Sequence, residues 1–125
     1  MFAVTVVEDF VAQHYLIVPN PGPEGDPHSH HYEVELEFRG SELNQYDYLV
    51  DIDDVEAAID GLLDRYEDTM LNDLPEFEGY NPSVERFAEV VWERVTRQVT
   101  DETIEEVAVT VWEDDEAYAA YEAGA

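Results

Sequence analysis

Three of the four histidines lie at positions from which their side chains could bind one metal ion. From Pro27 to Phe38, aromatic, aliphatic and imidazole side chains occupy the even positions and mostly charged side chains the odd ones. This alternation predicts a β-strand with one buried face. His28 and His30 begin that face, and same-face neighbours lie about 6.6 Å apart along a strand. Two imidazoles at this separation can converge on one ion, whereas His31 points to the opposite face.

His14 is the predicted third ligand. It follows Phe10 and Ala12 in the same phase of a strand predicted from Phe2 to Val18, so its side chain points toward the apolar side. A lone histidine on such a face is more often a buried core residue, but the paired histidines of the next strand favour a metal site. Three imidazoles that leave a fourth position for water or substrate form a catalytic zinc arrangement.

Three carboxylates could join this site. Glu24 and Asp26 belong to the proline-rich loop that leads into His28, and loops beside a rigid strand often carry chemistry. Each is explained equally well as part of the general surface acidity. Glu113 continues the phase of three valines in a strand predicted from Thr103 to Glu113, which predicts a partly buried carboxylate in need of donors. The spacing leaves equally open that the strand has ended and Glu113 begins an acidic turn.

The composition describes a strongly acidic chain with enough apolar residues for a core. Its 125 residues are 45% hydrophobic and include 32 Asp and Glu against five arginines and no lysine, for a net charge of −27. This length predicts one domain. The charge is spread over every predicted element, which is typical of salt-accumulating halophiles because molar salt screens self-repulsion. An acidic protein that binds basic partners is the less favoured interpretation.

Several classes of function and location are disfavoured by the same composition. Nucleic acid and anionic membranes are poor partners for a surface of this charge. The chain has no cysteine, which excludes disulfides and thiol chemistry. It shows no basic leader and no long apolar run, so we expect a cytoplasmic protein.

The order of predicted strands and helices indicates an α+β fold. Two strands are followed by a short third strand from Tyr46 to Val50, two helices and a last strand, and the tail from Ala117 to Ala125 is predicted as a frayed helical turn. This order predicts an antiparallel sheet with two helices packed on one face.

Both helices are predicted from apolar residues at helical spacing. One stripe runs from Val55 to Tyr66 and the other from Val84 to Val95, and each forms a single amphipathic face. The four residues from Asp51 to Asp54 can cap the first helix. Asn81 and Pro82 are predicted as the N-cap and first residue of the second. These stripes are interpreted as core.

Six short motifs occur in a fixed order along the chain. They are Phe10-x-Ala12-x-His14, His28-Ser29-His30-His31-Tyr32, Tyr48-Leu49-Val50-Asp51-Ile52, Leu71-Asn72-Asp73, Pro82-Ser83-Val84-Glu85 and Val109-Thr110-Val111-Trp112-Glu113. In this order they resemble the 6-pyruvoyltetrahydropterin synthase/6-carboxytetrahydropterin synthase family over nearly the whole length. The resemblance implies the tunnelling fold, assembled into trimers and hexamers with active sites between subunits.

The resemblance also implies roles for individual residues. It implies zinc at His14, His28 and His30. It implies that Glu113 anchors the pterin by accepting hydrogen bonds from the 2-amino and ring N–H groups, and that Ser83 lies in the substrate-binding motif. The family's usual substrate is 7,8-dihydroneopterin triphosphate, whose side-chain hydroxyls and developing carbonyl zinc polarises.

The chain departs from the family's pattern in its acid–base groups. The family usually has a catalytic cysteine a few residues before H-x-H, and Glu24 stands four residues before His28. The family's Asp-His pair aligns with Glu67 and Asp68. One subgroup uses glutamate in place of the cysteine and yields 6-hydroxymethyl-7,8-dihydropterin. We therefore expect Glu24 to act as general base, with Asp26 as the competitor, and Glu67 and Asp68 to relay protons.

Two classes of function follow. The first is a zinc-dependent pterin synthase or lyase, whose product is a 6-pyruvoyl or 6-carboxytetrahydropterin, the latter a precursor of the deazaguanine tRNA bases queuosine and archaeosine, or the hydroxymethyl pterin. The second is a catalytically silent member that binds a pterin or purine. The sequence favours the enzyme, because a silent protein has no evident need for three phased histidines.

Overall fold

The protein consists of a four-stranded antiparallel sheet with two helices packed against it, which confirms the predicted α+β fold. The computed structural model describes all residues from Met1 to Ala125. Its elements are β1 Phe2–His14, β2 His28–Gly40, α1 Ile52–Tyr66, α2 Val84–Gln98, β3 Glu106–Trp112 and β4 Tyr118–Gly124. Short 3₁₀ turns occupy Gly22–Gly25, Leu71–Asp73 and Pro75–Phe77. Neither α-helix has the length and apolar character needed to span a membrane.

The strand register places the histidines at one end of the sheet. The strands lie in the order β1-β2-β3-β4, and β1 pairs with β2 from Phe2 opposite Gly40 to His14 opposite His28. Strand β1 ends at His14, earlier than the predicted Val18, because β2 offers no partner beyond His28. Paired residues point to the same face of a sheet, so His14 and His28 project from one surface.

The helices cover the same face of the sheet. Helix α2 packs on β3 and β4, while α1 packs on α2 and β1. Phe87 of α2 lies at the centre of the core and contacts four other aromatic rings, with centroids 5.1–6.2 Å apart across this cluster: Phe10, Tyr32, Tyr66 and Phe77. Both predicted helical stripes supply buried residues to this core, which confirms them.

Side-chain caps set where the helices begin. The Asp51 carboxylate accepts a hydrogen bond from the Asp53 N–H, and the Ser83 hydroxyl accepts one from the Arg86 N–H at 3.1 Å. The prediction of Asn81 as N-cap is therefore wrong by two residues. The Asn81 side chain instead accepts a hydrogen bond from the Ile17 N–H, so it serves the chain that follows β1.

Two local predictions are wrong. Tyr46 to Val50 forms turns and bends rather than a strand, because the Asn44 side chain accepts the N–H groups of Tyr46 and Tyr48 and Asp47 has a φ of 63°. The tail is not helical but forms β4, which pairs with β3 throughout. Alanine-rich sequence has a high helix propensity, and pairing with β3 overrides it.

Gly40 is predicted to be intolerant of any side chain. A Cβ at this buried position would meet the Thr103 carbonyl oxygen and the Leu49 side chain. Gly40→Ala should therefore lower the free energy of unfolding by about 1–3 kcal/mol, measured by denaturant unfolding in molar KCl. Gly61→Ala is the control, because its Cβ would meet only the Gln98 amide at 3.6 Å. Because Gly61 lies within helix α1, Gly61→Ala should raise the free energy of unfolding by about 0.5–1 kcal/mol. A Gly40→Ala protein as stable as the wild type would contradict the prediction.

Candidate metal centre

Three imidazoles meet at the end of the sheet where β1 stops and β2 starts. The ring centroids lie 4.6 Å apart for His14 and His28, 5.0 Å for His14 and His30, and 4.9 Å for His28 and His30. One nitrogen of each ring lies within 4.8 Å of the other two. The structure thus brings together the three histidines that the strand phases single out, while His31 lies on the other face beside Asp9.

Main-chain carbonyls orient two of these rings. His14 Nδ1 lies 2.8 Å from the Pro82 carbonyl oxygen, and His28 Nδ1 lies 2.8 Å from that of Asp26. A carbonyl oxygen only accepts, so Nδ1 carries the proton in both rings and Nε2 keeps its lone pair. Carbonyl partners of this kind fix the tautomer and direction of metal-binding histidines.

The buried Nε2 of His14 has no hydrogen-bond partner. The residue is 1% exposed, and burial lowers the pKa of His14, so the ring is neutral near pH 7. An unsatisfied buried polar atom destabilises a fold by about 1–3 kcal/mol. In addition, His28 Nε2 and His30 Nε2 face each other at 3.1 Å, which requires a proton or a cation between them. A divalent metal bound by the three nitrogens satisfies both demands, and imidazole donors suit zinc.

Glu113 reaches this cluster from the end of β3, the strand next to β2. Its Oε1 lies 3.1 Å from His30 Nε2 and 3.9 Å from His14 Nε2, and its side chain is 25% exposed. Strand β3 ends at Trp112, so Glu113 does begin the acidic turn. Its side chain nevertheless keeps the inward phase of the valines. The two interpretations that the spacing left open each describe part of the structure.

Tyr32 and Ser83 border the histidines. The Tyr32 hydroxyl lies 3.4 Å from His14 Nδ1, and burial, together with the charge of Glu113, raises the pKa of Tyr32. The phenol is therefore protonated at neutral pH. Ser83 follows Pro82, whose carbonyl accepts from His14, and its hydroxyl caps α2. Its role in substrate binding stays a prediction.

The loop carboxylates lie on the exposed side of the cluster. Glu24 belongs to the 3₁₀ turn Gly22–Gly25, and its main-chain oxygen accepts a hydrogen bond from the Leu16 N–H at 2.8 Å. The charge of Glu24 acts to raise the pKa of His14, against the larger effect of burial, so this carboxylate lies within electrostatic reach of the site. Asp26 contributes its carbonyl to His28, while its side chain is exposed.

Glu67 and Asp68 lie outside the cluster within one chain. Both are exposed at the end of α1, and the Asp68 N–H donates to the Val11 carbonyl at 2.7 Å on the outer edge of β1. Val11 precedes His14 by three residues, which is about 10 Å along a strand. Within a single chain, their predicted role in proton transfer is therefore not explained by proximity to the histidines.

Sequence reasoning assigned no role to Asn72 and misassigned Asn81, and both hold the backbone just after His14. The Asn72 side chain accepts from the Tyr15 N–H at 3.0 Å and donates to the Tyr15 carbonyl at 2.9 Å. Asn81 accepts from the Ile17 N–H at 2.9 Å. Single asparagines have no periodicity, so the only signal was the short Leu71-Asn72-Asp73 motif.

Asn72→Ala should loosen the metal centre. Losing both hydrogen bonds to Tyr15 should lower the free energy of unfolding by about 1–3 kcal/mol and weaken zinc binding by about 10-fold, as is typical of outer-shell changes. Chelator competition measures the affinity. Asn44→Ala is the matched control, because this side-chain amide also makes two hydrogen bonds to the main chain but lies in an exposed turn beyond the far end of β2. Equal zinc affinities in the two variants would refute the role of Asn72.

Comparison with known proteins relates this architecture to pterin enzymes. The family model for 6-pyruvoyl tetrahydropterin synthase matches residues 3–124. The 6-pyruvoyl tetrahydropterin synthase structure from Caenorhabditis elegans has a TM-score of 0.84 at 17% identity, covering 98% of this chain and 96% of that one. The Plasmodium falciparum enzyme has a TM-score of 0.80 at 14% identity, covering 99% and 98%.

The Plasmodium vivax 6-pyruvoyl tetrahydropterin synthase adds one chemical detail. It has a TM-score of 0.76 at 12% identity and covers 100% of both chains. Two further structures of that protein carry a catalytic glutamate replaced by alanine or by cysteine. At these identities the superpositions show that the folds are alike.

Proposed function

Because this chain belongs to the 6-pyruvoyl tetrahydropterin synthase family, we propose that it is a zinc-dependent pterin enzyme acting on the side chain of 7,8-dihydroneopterin triphosphate. The observation that carries the proposal is the buried, unpartnered Nε2 of His14 beside His28 and His30. These three residues would hold the zinc, which supplies Lewis-acid polarisation of the substrate's hydroxyls and developing carbonyl when bound.

Glu113 and Ser83 are proposed to hold the pterin ring. The Glu113 carboxylate is partly exposed and has two oxygens, so it can accept hydrogen bonds from the 2-amino group and the ring N–H together. No guanidinium group pairs with it, since the ion pairs within 4.0 Å that involve Glu113 are those with histidines. The Ser83 hydroxyl lies at the N-terminus of α2 and follows Pro82, whose carbonyl accepts from His14.

Glu24 is proposed to act as general base in place of the family's cysteine. The chain has no cysteine, and the Plasmodium vivax relative has a glutamate described as its catalytic residue. Glu24 lies near His14 on an exposed turn, where its carboxylate can take a proton from the substrate's side chain. Asp26 is the competing candidate.

Glu67 and Asp68 are proposed to act from a second copy of the chain. Strand β4 lacks a partner on one side, and the outer edge of β1 is bonded only near its end, where Asp68 and Thr69 contact Val11 and Gln13. The remaining unpaired edges favour pairing with another chain. Asp68 lies next to the unpaired part of the β1 edge, so a subunit that pairs with β1 there would lie beside it. A homo-oligomer, a trimer or hexamer, therefore gives these carboxylates a route to the histidines.

The products of purified protein incubated with 7,8-dihydroneopterin triphosphate, zinc and molar KCl, identified by mass, test the proposal. A pyruvoyl, carboxyl or hydroxymethyl side chain on a new pterin would establish the enzyme and its branch. The hydroxymethyl product is favoured by the glutamate that replaces cysteine. Unchanged substrate, with zinc and pterin both bound, would instead identify a silent pterin-binding member.

A further inference from the structure

Glu113 lies where a metal ligand would lie. Ligands at about 2.0–2.1 Å from a tetrahedral zinc ion are separated from one another by about 3.3 Å. Glu113 Oε1 is 3.1 Å from His30 Nε2 and 3.9 Å from His14 Nε2, and His28 Nε2 is 3.1 Å from His30 Nε2. The carboxylate oxygen therefore lies beside two of the three nitrogens that His14, His28 and His30 offer as donors.

The hairpin between β3 and β4 holds Glu113 at this position. The Glu113 N–H donates to the Ala117 carbonyl at 3.1 Å. Asp114 Oδ1 accepts the N–H groups of Glu116 and Ala117, both at 2.8 Å. These three hydrogen bonds order the turn immediately after Glu113, so the carboxylate faces the histidines from an ordered backbone rather than from a free loop.

We propose that Glu113 is a fourth metal ligand in the protein without substrate, and that a pterin must draw this carboxylate off the metal in order to bind. The second half rests on the proposed function, in which Glu113 anchors the pterin. The 2-amino and ring N–H groups lie at the opposite end of the pterin from its side chain, so a carboxylate that holds that edge while the side chain reaches the metal cannot itself lie at the metal. The coordination position for the substrate's side chain is then freed only when the ring is in place.

This competition has a thermodynamic consequence. If Glu113 is shared between the metal and the pterin, binding of either weakens binding of the other by the same factor. The metal-free protein should then bind a pterin ring without a side chain more tightly than the zinc-loaded protein does. For a pterin that carries its side chain, contacts between that side chain and the metal should offset this difference. A carboxylate that served the pterin alone would produce no such coupling.

The first half is tested by zinc affinity, measured without pterin by competition with a chromophoric chelator. Glu113→Gln should bind zinc about 10-fold or more weakly than the wild-type protein. Asp115→Asn is the control, because it removes the same charge two residues away from an exposed side chain that makes no ion pair with the histidines. At 1 M salt the Debye length is about 3 Å, so Asp115→Asn should match the wild type within about 2-fold. Equal affinities for both variants would overturn the proposal.

The second half is tested by the visible spectrum of the cobalt-substituted protein. Wild-type and Glu113→Gln proteins should differ in their cobalt bands, since a carboxylate ligand is lost. Adding 7,8-dihydroneopterin, which absorbs in the ultraviolet, should shift the wild-type bands toward those of the variant. Bound pterin without a shift would overturn the exchange. If no pterin binds, the proposed function fails, while the zinc affinities still decide whether Glu113 is a ligand.

Discussion

His30→Ala is expected to bind zinc at least about 100-fold more weakly than the wild-type protein, because it loses a directly bound nitrogen and outer-shell changes alone reach 10- to 100-fold. His30 is the suitable ligand to remove, since its side chain is 19% exposed near the beginning of β2, whereas His14 is 1% exposed. The fold without metal should therefore survive the change. Chelator competition measures the affinity, and denaturant unfolding of the metal-free protein measures the stability.

His31→Ala is the matched control for that variant. It removes the same side chain from the neighbouring position of the same strand, but His31 lies on the opposite face and pairs with Asp9 at 2.6 Å, with a side chain that is 65% exposed. Zinc affinity should stay within about 2-fold, because an exposed pair of this kind contributes at most about 1 kcal/mol and none of it to the metal. Parallel losses in the two variants would show that the alternation of β2 does not define the site.

The alternation of β1 and β2 was sufficient to predict which histidines meet. Period-two patterns place side chains on faces independently of the rest of the fold, so His14, His28 and His30 could be assigned to one surface and His31 to the other. The apolar stripes of the helices predicted the core in the same way, because the helical period of 3.6 residues also assigns side chains to faces. The order of strands and helices predicted the α+β class and the family motifs implied the tunnelling fold, and the structure confirms both.

Features that depend on contacts distant in sequence could not be predicted in this way. Strand β4 exists because β3 offers it an edge, and its alanine-rich sequence alone resembles a helical turn. The segment from Tyr46 to Val50 has strand-like residues, but the Asn44 side chain binds its main chain. The main-chain carbonyls of Pro82 and Asp26 orient two ligands. Every residue has such a carbonyl, so the residue type does not reveal this role.

The acid–base groups show the same division. The loop that leads into His28 predicted only that Glu24 lies near the site, and its role as base, like the roles of Glu67 and Asp68, came from the family resemblance. The structure puts Asp68 against the outer edge of β1 and Glu67 just before it at the end of α1, so their proposed part in the chemistry depends on assembly. A site completed between subunits cannot be read from one chain's periodicity, because periodicity reports only which face of its own element a residue occupies.

Glu24→Gln is expected to lower kcat by about 10²–10⁴-fold, the usual contribution of a positioned general base, while zinc affinity stays within about 2-fold. Zinc affinity should be unaffected by the loss of turnover, because none of the hydrogen bonds or ion pairs of the three histidines involves the Glu24 side chain. Glutamine keeps the shape of the side chain and removes its ability to take a proton. Turnover is measured on zinc-loaded protein in molar KCl, with the product identified by mass.

Asp26→Asn distinguishes the two loop carboxylates. Asp26 holds His28 through its main-chain carbonyl, which asparagine retains, so zinc should still bind and turnover should remain within about 10-fold of wild type. The reverse pattern, with Asp26→Asn inactive and Glu24→Gln active, would make Asp26 the base. Full turnover in both variants would mean that a different group accepts the proton from the substrate. The exposed carboxylates Glu67 and Asp68 of a neighbouring copy would then be the next residues to replace, because they are the remaining acids that the family motifs associate with this chemistry.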